Sequence, residues 1–292
     1  MRRPFRAVPQ ASRRLVLDRY GPIKTSYSFG EMFQVIDVLR GQKEIPAYLR
    51  YLSGIPSELV PVPSARDFSD IDVALIEPST PVELTFRGVS INRTRIQGLM
   101  RDVVGKEREP FKARNRWLRL GLMDRNEQIR REASETLLGF IHGDSEADEL
   151  ARAVIRETEV SRSNIPDSFR KMKALLGRPI GVLIYIFRYM PDGRPISWPA
   201  GFREDIVAAA QEANLPFFEP VRLVQEYGAA QALLADLAHY SDAFLPVMGE
   251  ALTRFAESVD GRPSGGFASL EDLSLPMHDR TVIAPQHFAD EP

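Results

Sequence analysis

A chain of 292 residues, of which 43% are hydrophobic and 27% charged, is long enough to bury the core of one large domain or two modest ones. Its 38 Lys and Arg residues nearly balance its 40 Asp and Glu residues, so we expect neither nucleic acid nor an anionic membrane as its partner. The absence of cysteine excludes disulfides, thiolate catalysis and cysteine-ligated zinc. No apolar run reaches the roughly 18 residues that a membrane span needs, so we expect a cytoplasmic protein.

The chain begins with an arginine-rich segment, residues 1–14, that lacks the apolar stretch of a secretory signal and is interpreted as a solvated arm. A transit peptide or a contact to an anionic surface is the alternative interpretation. Residues 13–20 and 21–27 are weak strand candidates. Apolar residues then recur at helical intervals and predict a helix: Phe29, Met32, Phe33, Ile36 and Leu39. A second helix is predicted at AYLRYLSGI, and the apolar run 73–76, closed by Pro78, is typical of a buried parallel strand.

Residues 93–176 differ from the rest of the chain because they are strongly charged and mostly helical in pattern. They interrupt an alternation of strands and helices, so we interpret them as an insertion or a lid. Their exposed amphipathic helices also make this segment a candidate surface for oligomer contacts.

The strongest strand signal is RPIGVLIYIFRYM, which is rich in β-branched and aromatic residues and predicts the central strand. A helix at FREDIVAAAQEANL, a short strand in LPFFEPVRLV and a final helix at DAFLPVMGEALTRFAESV follow it. The alternation predicts an α/β fold with three layers (α/β/α) and a parallel, flavodoxin-like sheet. The predicted divisions are a basic arm (1–14), a first part of the α/β domain (15–92), the helical insertion (93–176), a second part (177–259) and a C-terminal extension (260–292).

The turn Ser26-Tyr27-Ser28-Phe29-Gly30 leads into the first predicted helix. A serine in this position ordinarily caps the helix, which contributes about 1 kcal/mol. The same position also suits a nucleophile, because backbone N–H groups at the start of a helix can stabilise an oxyanion.

An aspartate precedes a histidine by three residues in Asp236-Leu237-Ala238-His239. On a turn, this spacing lets the carboxylate reach the imidazole Nδ1, which fixes the tautomer and leaves Nε2 for a serine. The pair lies between a predicted strand and the final helix, where a catalytic histidine at a sheet edge is expected. A surface pair without function is the alternative interpretation.

In these two motifs the chain resembles the SGNH/GDSL hydrolase superfamily, in particular its divergent members associated with polysaccharide modification. Ser26-Tyr27-Ser28-Phe29 corresponds in position to the first block of that family, which implies that Ser28 is the nucleophile. Asp236 and His239 correspond to its last block, which implies the other two members of a catalytic triad. The resemblance covers residues from about 20 to 95 and from 178 to 258.

Substrate contacts are expected from the segment after the second predicted strand. The family has Gly-x-Asn-Asp there, whereas this chain has Glu77-Pro78-Ser79-Thr80, and the nearest asparagine is Asn92. We therefore expect Glu77, Ser79, Asn92 and Arg93 to contact the substrate. Glu77 could alternatively act as a general base or form a salt bridge.

Two further groups of side chains could bind a sugar. The aromatic residues Tyr185, Phe187, Tyr189 and Trp198 could stack on a sugar ring or belong to the core. Arg87, Arg93 and Arg95 could bind an anionic sugar or the phosphate of an acyl carrier, or be solvated.

No metal and no cofactor is expected. The histidines outside the triad are scattered in the sequence, and neither a Walker loop nor a strand followed by Gly-x-Gly-x-x-Gly occurs.

The sequence thus predicts a serine-dependent esterase or O-acyltransferase that acts on a carbohydrate or glycan precursor, with Ser28, His239 and Asp236 as its triad. Water as the second substrate would make it a hydrolase, and a sugar hydroxyl would make it a transferase. The alternative is a noncatalytic binding or scaffold protein of the same fold that uses residues 93–176 as its partner surface.

Overall fold

The computed structural model describes residues 28–55, 72–197 and 199–260. The basic arm 1–14, the strand candidates before Ser28, Trp198 and residues 261–292 of the predicted extension lie outside the described residues. Within the described ranges, no helix is both long and apolar enough to cross a membrane.

Helices make up most of the described structure. The α-helices are α1 (Phe29–Leu39), α2 (Ala47–Ser53), α3 (Arg93–Val104), α4 (Arg108–Arg116), α5 (Glu127–Leu138), α6 (Glu146–Glu157), α7 (Ile165–Leu176), α8 (Phe202–Glu212), α9 (Val221–Tyr227), α10 (Ala229–Ala232) and α11 (Leu245–Val259), and a π-helix (Trp117–Gly121) directly follows α4. The strands are β1 (Ala74–Ile76), β2 (Val82–Phe86), β3 (Val89–Ser90), β4 (Glu159–Arg162), β5 (Ile180–Leu183), β6 (Arg188–Tyr189), β7 (Pro195–Ile196) and β8 (Phe217–Phe218).

A three-stranded parallel sheet in the order β1-β5-β8 places the most apolar run of the chain in the centre, as predicted. Two small antiparallel sheets accompany it, β3-β2-β4 and the hairpin β6-β7. The protein is therefore a mixed α/β structure that is mostly helical, which confirms the predicted α/β class and parallel sheet at this level.

The predicted central strand is shorter than its apolar run. Strand β5 ends at Leu183 because its neighbour β8 ends at Phe218, shortly before Pro220 opens α9. The last residues of the run form β6 instead, which pairs with β7. One apolar run thus supplies two strands of different sheets.

The buried apolar residues form two clusters. One surrounds the parallel sheet and includes Phe29 of α1 and Phe169 of α7, whose rings meet edge to face at 5.3 Å between centroids. The other lies between the β3-β2-β4 sheet and helices α2 to α6. Helix α1 packs on both, since Ile36 belongs to the first cluster and Val38 to the second. The C-terminal half of α1 consequently lies at the junction of the two cores.

Gly181 allows α11 and β1 to approach the central strand closely. A Cβ atom built on Gly181 would lie 2.7 Å from the Phe255 ring and 2.8 Å from Leu75 Cδ2. We expect Gly181→Ala to lower the free energy of unfolding by about 1–3 kcal/mol through overpacking. The measurement is urea denaturation, with Gly139→Ala as the control.

Gly139 is a suitable control because its φ of −62° suits any residue and an added Cβ would meet its nearest atom at 3.5 Å. Its replacement should be neutral or slightly stabilising. Equal effects of the two substitutions would contradict the close approach at Gly181.

Candidate functional site

A cleft of about 470 Å³ opens at the carboxyl edge of the parallel sheet. Ser79 follows β1, and Tyr185 and Phe187 follow β5; all three line the cleft together with Ser28 and Arg93. In open α/β sheets, ligands bind at this edge. The structure therefore brings together three of the residues predicted from the sequence, Ser28, Ser79 and Arg93, in a place where a ligand is expected.

Ser28 caps α1 and is only 2% exposed. Its Oγ accepts a hydrogen bond from the Glu31 N–H at 3.3 Å, and its own N–H donates to Glu31 Oε2 at 2.9 Å. This reciprocal pair is a capping box. Because a hydroxyl that accepts a hydrogen bond still carries a proton to donate, capping and nucleophilic attack are compatible roles for Ser28.

Glu31 connects the starts of two helices. Its Oε1 accepts a hydrogen bond from Asn92 Nδ2 at 2.7 Å, while Asn92 Oδ1 caps α3 by accepting from the N–H groups of Thr94 and Arg95. Asn92 is 5% exposed and, unlike Glu31, is not among the residues that line the cleft. Its observed contacts are those of a helix cap and a bridge to Ser28 through Glu31. We did not predict Glu31 as a site residue, although the spacing Ser-x-x-Glu signals it.

Two arginines face the cleft from the helical side. Arg93 begins α3 and donates from Nη2 to the Leu118 carbonyl at 3.2 Å, and partial burial lowers the pKa of its guanidinium. Arg119 lies on the π-helix and is exposed. Within the described ranges, neither forms an ion pair with a carboxylate. A desolvated cation beside a cleft favours an anionic ligand group.

The arginine cluster that the sequence suggested does not converge in space. Arg87 pairs with Glu157, with Nε and Oε2 2.8 Å apart, and Arg95 lies over the Tyr51 ring at 5.1 Å. Only Arg93 of the three lines the cleft. The predicted aromatic residues do not form one group either. Phe187 is 46% exposed and lines the cleft, whereas Tyr189 is 2% exposed and belongs to the core.

Asp236 and His239 form a hydrogen-bonded pair, with Asp236 Oδ2 and His239 Nδ1 2.5 Å apart. Asp236 Oδ1 also accepts from the N–H groups of Ala238 at 3.0 Å and His239 at 3.1 Å. The backbone N–H of Ala238, then the imidazole and N–H of His239, lower the pKa of Asp236 to about 2. Leu237 adopts a positive φ of 55°, which closes the turn between the two side chains.

The turn that carries this pair is attached to the strand next to the cleft. Arg188 Nε donates to the Asp236 carbonyl at 2.9 Å, and the Tyr189 N–H donates to the Leu237 carbonyl at 2.8 Å. Arg188 directly follows the cleft residue Phe187. Asp236 and His239 themselves do not line the cleft, and the His239 side chain is 73% exposed.

Glu77 also lies outside the cleft lining, near the residue that follows His239. Burial raises the pKa of Tyr240 to about 12, and the negative charge of Glu77 acts in the same direction. The Tyr240 hydroxyl is 3.3 Å from the Tyr189 hydroxyl. Glu77 therefore contributes to the electrostatics at Tyr240 and does not line the cleft, where we expected it to contact the substrate.

The depressed pKa of Asp236 makes the turn sensitive to acid. The folded value of about 2 is below the ordinary value of about 3.9, so the ionised carboxylate stabilises the fold above about pH 4, and this stabilisation is lost as pH falls through 2. We expect Asp236→Asn to flatten the pH dependence of stability between these two values. Urea denaturation at a series of pH values measures this, and an unchanged slope would contradict the pairing.

Comparison with known families adds an independent observation. A family model described as the TviD N-terminal domain matches residues 1–255. The chain belongs to the TviD N-terminal domain family. This family comes from Vi capsular polysaccharide biosynthesis, and its match spans the cleft and the Asp236–His239 turn. No curated protein and no solved structure matches the chain. Membership of the TviD N-terminal domain family links the chain to polysaccharide biosynthesis without assigning a catalytic mechanism.

Proposed function

We propose that the chain is a serine-dependent O-acyl esterase or acyltransferase that acts on a carbohydrate, with Ser28, His239 and Asp236 as its triad. The proposal includes SGNH-like membership, a flavodoxin-like three-layer arrangement and a helical insertion over residues 93–176. The link of the TviD N-terminal domain family to polysaccharide biosynthesis supports the substrate class.

The observation that carries the proposal is the proximity along the structure of the two halves of the triad. Ser28 lines a cleft at the carboxyl edge of the sheet. The Asp236–His239 turn is hydrogen-bonded to Arg188, which directly follows the cleft residue Phe187. Because Asp236 engages His239 Nδ1, Nε2 is the nitrogen left for a serine hydroxyl. The proposal requires the exposed imidazole to move toward the cleft when substrate is bound, and catalytic hydrogen bonds often form fully only in the substrate complex.

In the proposed reaction, Ser28 Oγ attacks the acyl carbonyl carbon while His239 Nε2 accepts the hydroxyl proton. The bond between the acyl carbon and the leaving alcohol then breaks, and the alcohol takes the proton from His239. Water or a sugar hydroxyl attacks the acyl-serine in the second half and restores Ser28. Since the Ser28 N–H already donates to Glu31, we assign oxyanion stabilisation to the next N–H groups of α1, those of Phe29 and Gly30.

Substrate binding is assigned to the two walls of the cleft. Phe187 offers an exposed ring on which a sugar can stack, and Ser79 offers a hydroxyl. Arg93, opposite the sheet, suits an anionic substituent of the sugar or of the acyl donor. Glu77 and Asn92 are assigned indirect roles, at Tyr240 and at Glu31 respectively.

A noncatalytic carbohydrate-binding protein of the same family is the second candidate. The exposure of His239 and its position outside the cleft lining favour it. In that case the cleft would bind a glycan without cleaving an ester, and residues 93–176 would serve as a partner surface.

Covalent labelling with a fluorophosphonate separates the two candidates. An activated serine reacts with this probe, whereas a serine that only caps a helix does not. We expect labelling of the parent protein that disappears in Ser28→Ala and persists in Ser26→Ala. Absence of labelling in the folded parent would favour the binding protein, and loss in Ser26→Ala alone would assign the nucleophile to Ser26.

A further inference from the structure

The turn that carries Asp236 and His239 is closed on itself by local hydrogen bonds. The Leu237 N–H donates to the Leu234 carbonyl at 2.9 Å, and the Leu234 N–H donates to the His239 carbonyl at 2.8 Å. The side chains of Asp236 and His239 are both exposed. The position of the imidazole relative to the sheet therefore depends on the contacts that hold the turn from outside.

Tyr189 of β6 holds this turn at two points. Its N–H donates to the Leu237 carbonyl at 2.8 Å, in the middle of the turn. Its hydroxyl lies 3.3 Å from the hydroxyl of Tyr240, the residue directly after His239. Because the first contact comes from the backbone and the second from the side chain, Tyr189→Phe removes the second contact alone.

Both tyrosine rings are held in place by the core, which also fixes the positions of their hydroxyl oxygens. Tyr189 is 2% exposed and belongs to the cluster around the parallel sheet. The Tyr240 ring packs against that cluster and meets the Phe244 ring edge to face at 5.3 Å between centroids. A hydrogen bond between two groups restrained in this way ties the turn to the core.

Both hydroxyls of the pair stay protonated at neutral pH. Burial raises the pKa of Tyr240 to about 12, and burial, followed by the charges of Tyr240 and Glu219, raises the pKa of Tyr189. Glu219 directly follows β8, and Glu77, whose charge acts on Tyr240, directly follows β1. The hydroxyl pair thus lies near residues that follow two strands of the parallel sheet, and it retains an O–H donor at the pH at which His239 is a neutral base.

We propose that Tyr189 and Tyr240 are positioning residues, whose paired hydroxyls orient the Asp236–His239 turn and so keep the proton of the neutral imidazole on Nδ1. Asp236 Oδ2, 2.5 Å from Nδ1, is the acceptor of that proton. The catalytic use of His239 rests on the proposed function. The orientation of the imidazole by the two tyrosines does not, because it is a property of the folded turn.

The tautomer of His239 tests this without any assay of activity. Two-bond proton–nitrogen NMR correlation spectra of the full chain at about pH 8, where an ordinary histidine is neutral, identify the protonated ring nitrogen. His239→Ala assigns the signals of His239 among the four histidines. We expect a protonated Nδ1 in the parent and a mixture of the two tautomers in Tyr189→Phe and in Tyr240→Phe. The double variant should resemble either single variant, because the two hydroxyls form one contact.

The turnover of an O-acetyl sugar ester gives a second readout. Within the described ranges neither tyrosine lines the cleft, so each single variant should lower kcat by about tenfold, the size of one lost hydrogen bond, and leave KM unchanged. Tyr227→Phe is the matched control. The Tyr227 ring also packs on Phe244, with centroids 5.0 Å apart, but its hydroxyl donates to the Ala243 carbonyl and not to the turn.

A parent tautomer that persists in both single variants would overturn the inference, as would equal effects in the control Tyr227→Phe. Additive losses in the double variant would also overturn it, because the hydroxyls would then act separately. Each variant keeps its aromatic ring, and circular dichroism checks that it is folded. A parent that hydrolyses no ester, but whose tautomer depends on both tyrosines, rejects the proposed function alone. An active parent whose tautomer is independent of them rejects only the positioning role.

Discussion

Ser28→Ala is expected to reduce the turnover of an O-acetyl sugar ester by about 10⁶-fold, the magnitude that loss of the serine produces in hydrolytic triads. The physical reason is that alanine has no hydroxyl with which to form the covalent acyl intermediate. Initial rates of acetate release from the purified parent and variant measure the effect. Turnover equal to that of the parent would reject Ser28 as the nucleophile.

The loss of a helix cap must be separated from the loss of a nucleophile, and the chain provides a control for this. Ser145 caps α6 in the same way that Ser28 caps α1, with Asp148 in the position of Glu31. Each serine-to-alanine change should cost about 1 kcal/mol of stability. Only Ser28→Ala should also lose turnover, so a comparable loss in Ser145→Ala would assign the effect to stability.

His239→Ala is expected to lower turnover of the same ester by several orders of magnitude, up to about 10⁶-fold. A serine hydroxyl is a weak nucleophile without a base to take its proton. Asp236→Asn should cost less or a comparable amount, on the order of 10⁴-fold, because it disturbs the tautomer and orientation of the imidazole.

Both variants should remain folded, because His239 is 73% exposed and Asp236 48% exposed. Circular dichroism checks the fold, and His142→Ala is the control for the removal of an exposed imidazole. If the parent hydrolyses the ester and His239→Ala retains its rate, the Asp236–His239 pair is structural. A parent without activity on any acyl donor would favour the carbohydrate-binding alternative.

Local patterns in the sequence predicted the elements with strong periodicity. The helix at Phe29–Leu39 and the final helix at Leu245–Val259 follow from apolar residues at helical spacing, and β5 follows from its β-branched composition. The Asp236–His239 contact was also predictable, since a three-residue offset on a turn brings the two side chains together. These features depend on residues close in the chain.

Features that depend on distant residues were not predictable in the same way. Strand β2 pairs with β4, so Leu84 lies opposite Val160, and nothing local announces that partner. Arg119 lines the cleft from the π-helix that directly follows α4, a helix type that the sequence analysis did not predict. Glu31 had a recognisable capping signal, but its link to Asn92 required the tertiary structure.

The carboxylate of Glu31 also constrains how this family can diverge. It accepts hydrogen bonds from Ser28 on one helix and from Asn92 on another, and all three residues are buried. A homologue that replaces the acid by an apolar residue loses both of these buried hydrogen bonds, at about 1–3 kcal/mol each. Ser28, Glu31 and Asn92 should therefore be retained or replaced together across homologues, as one inherited unit.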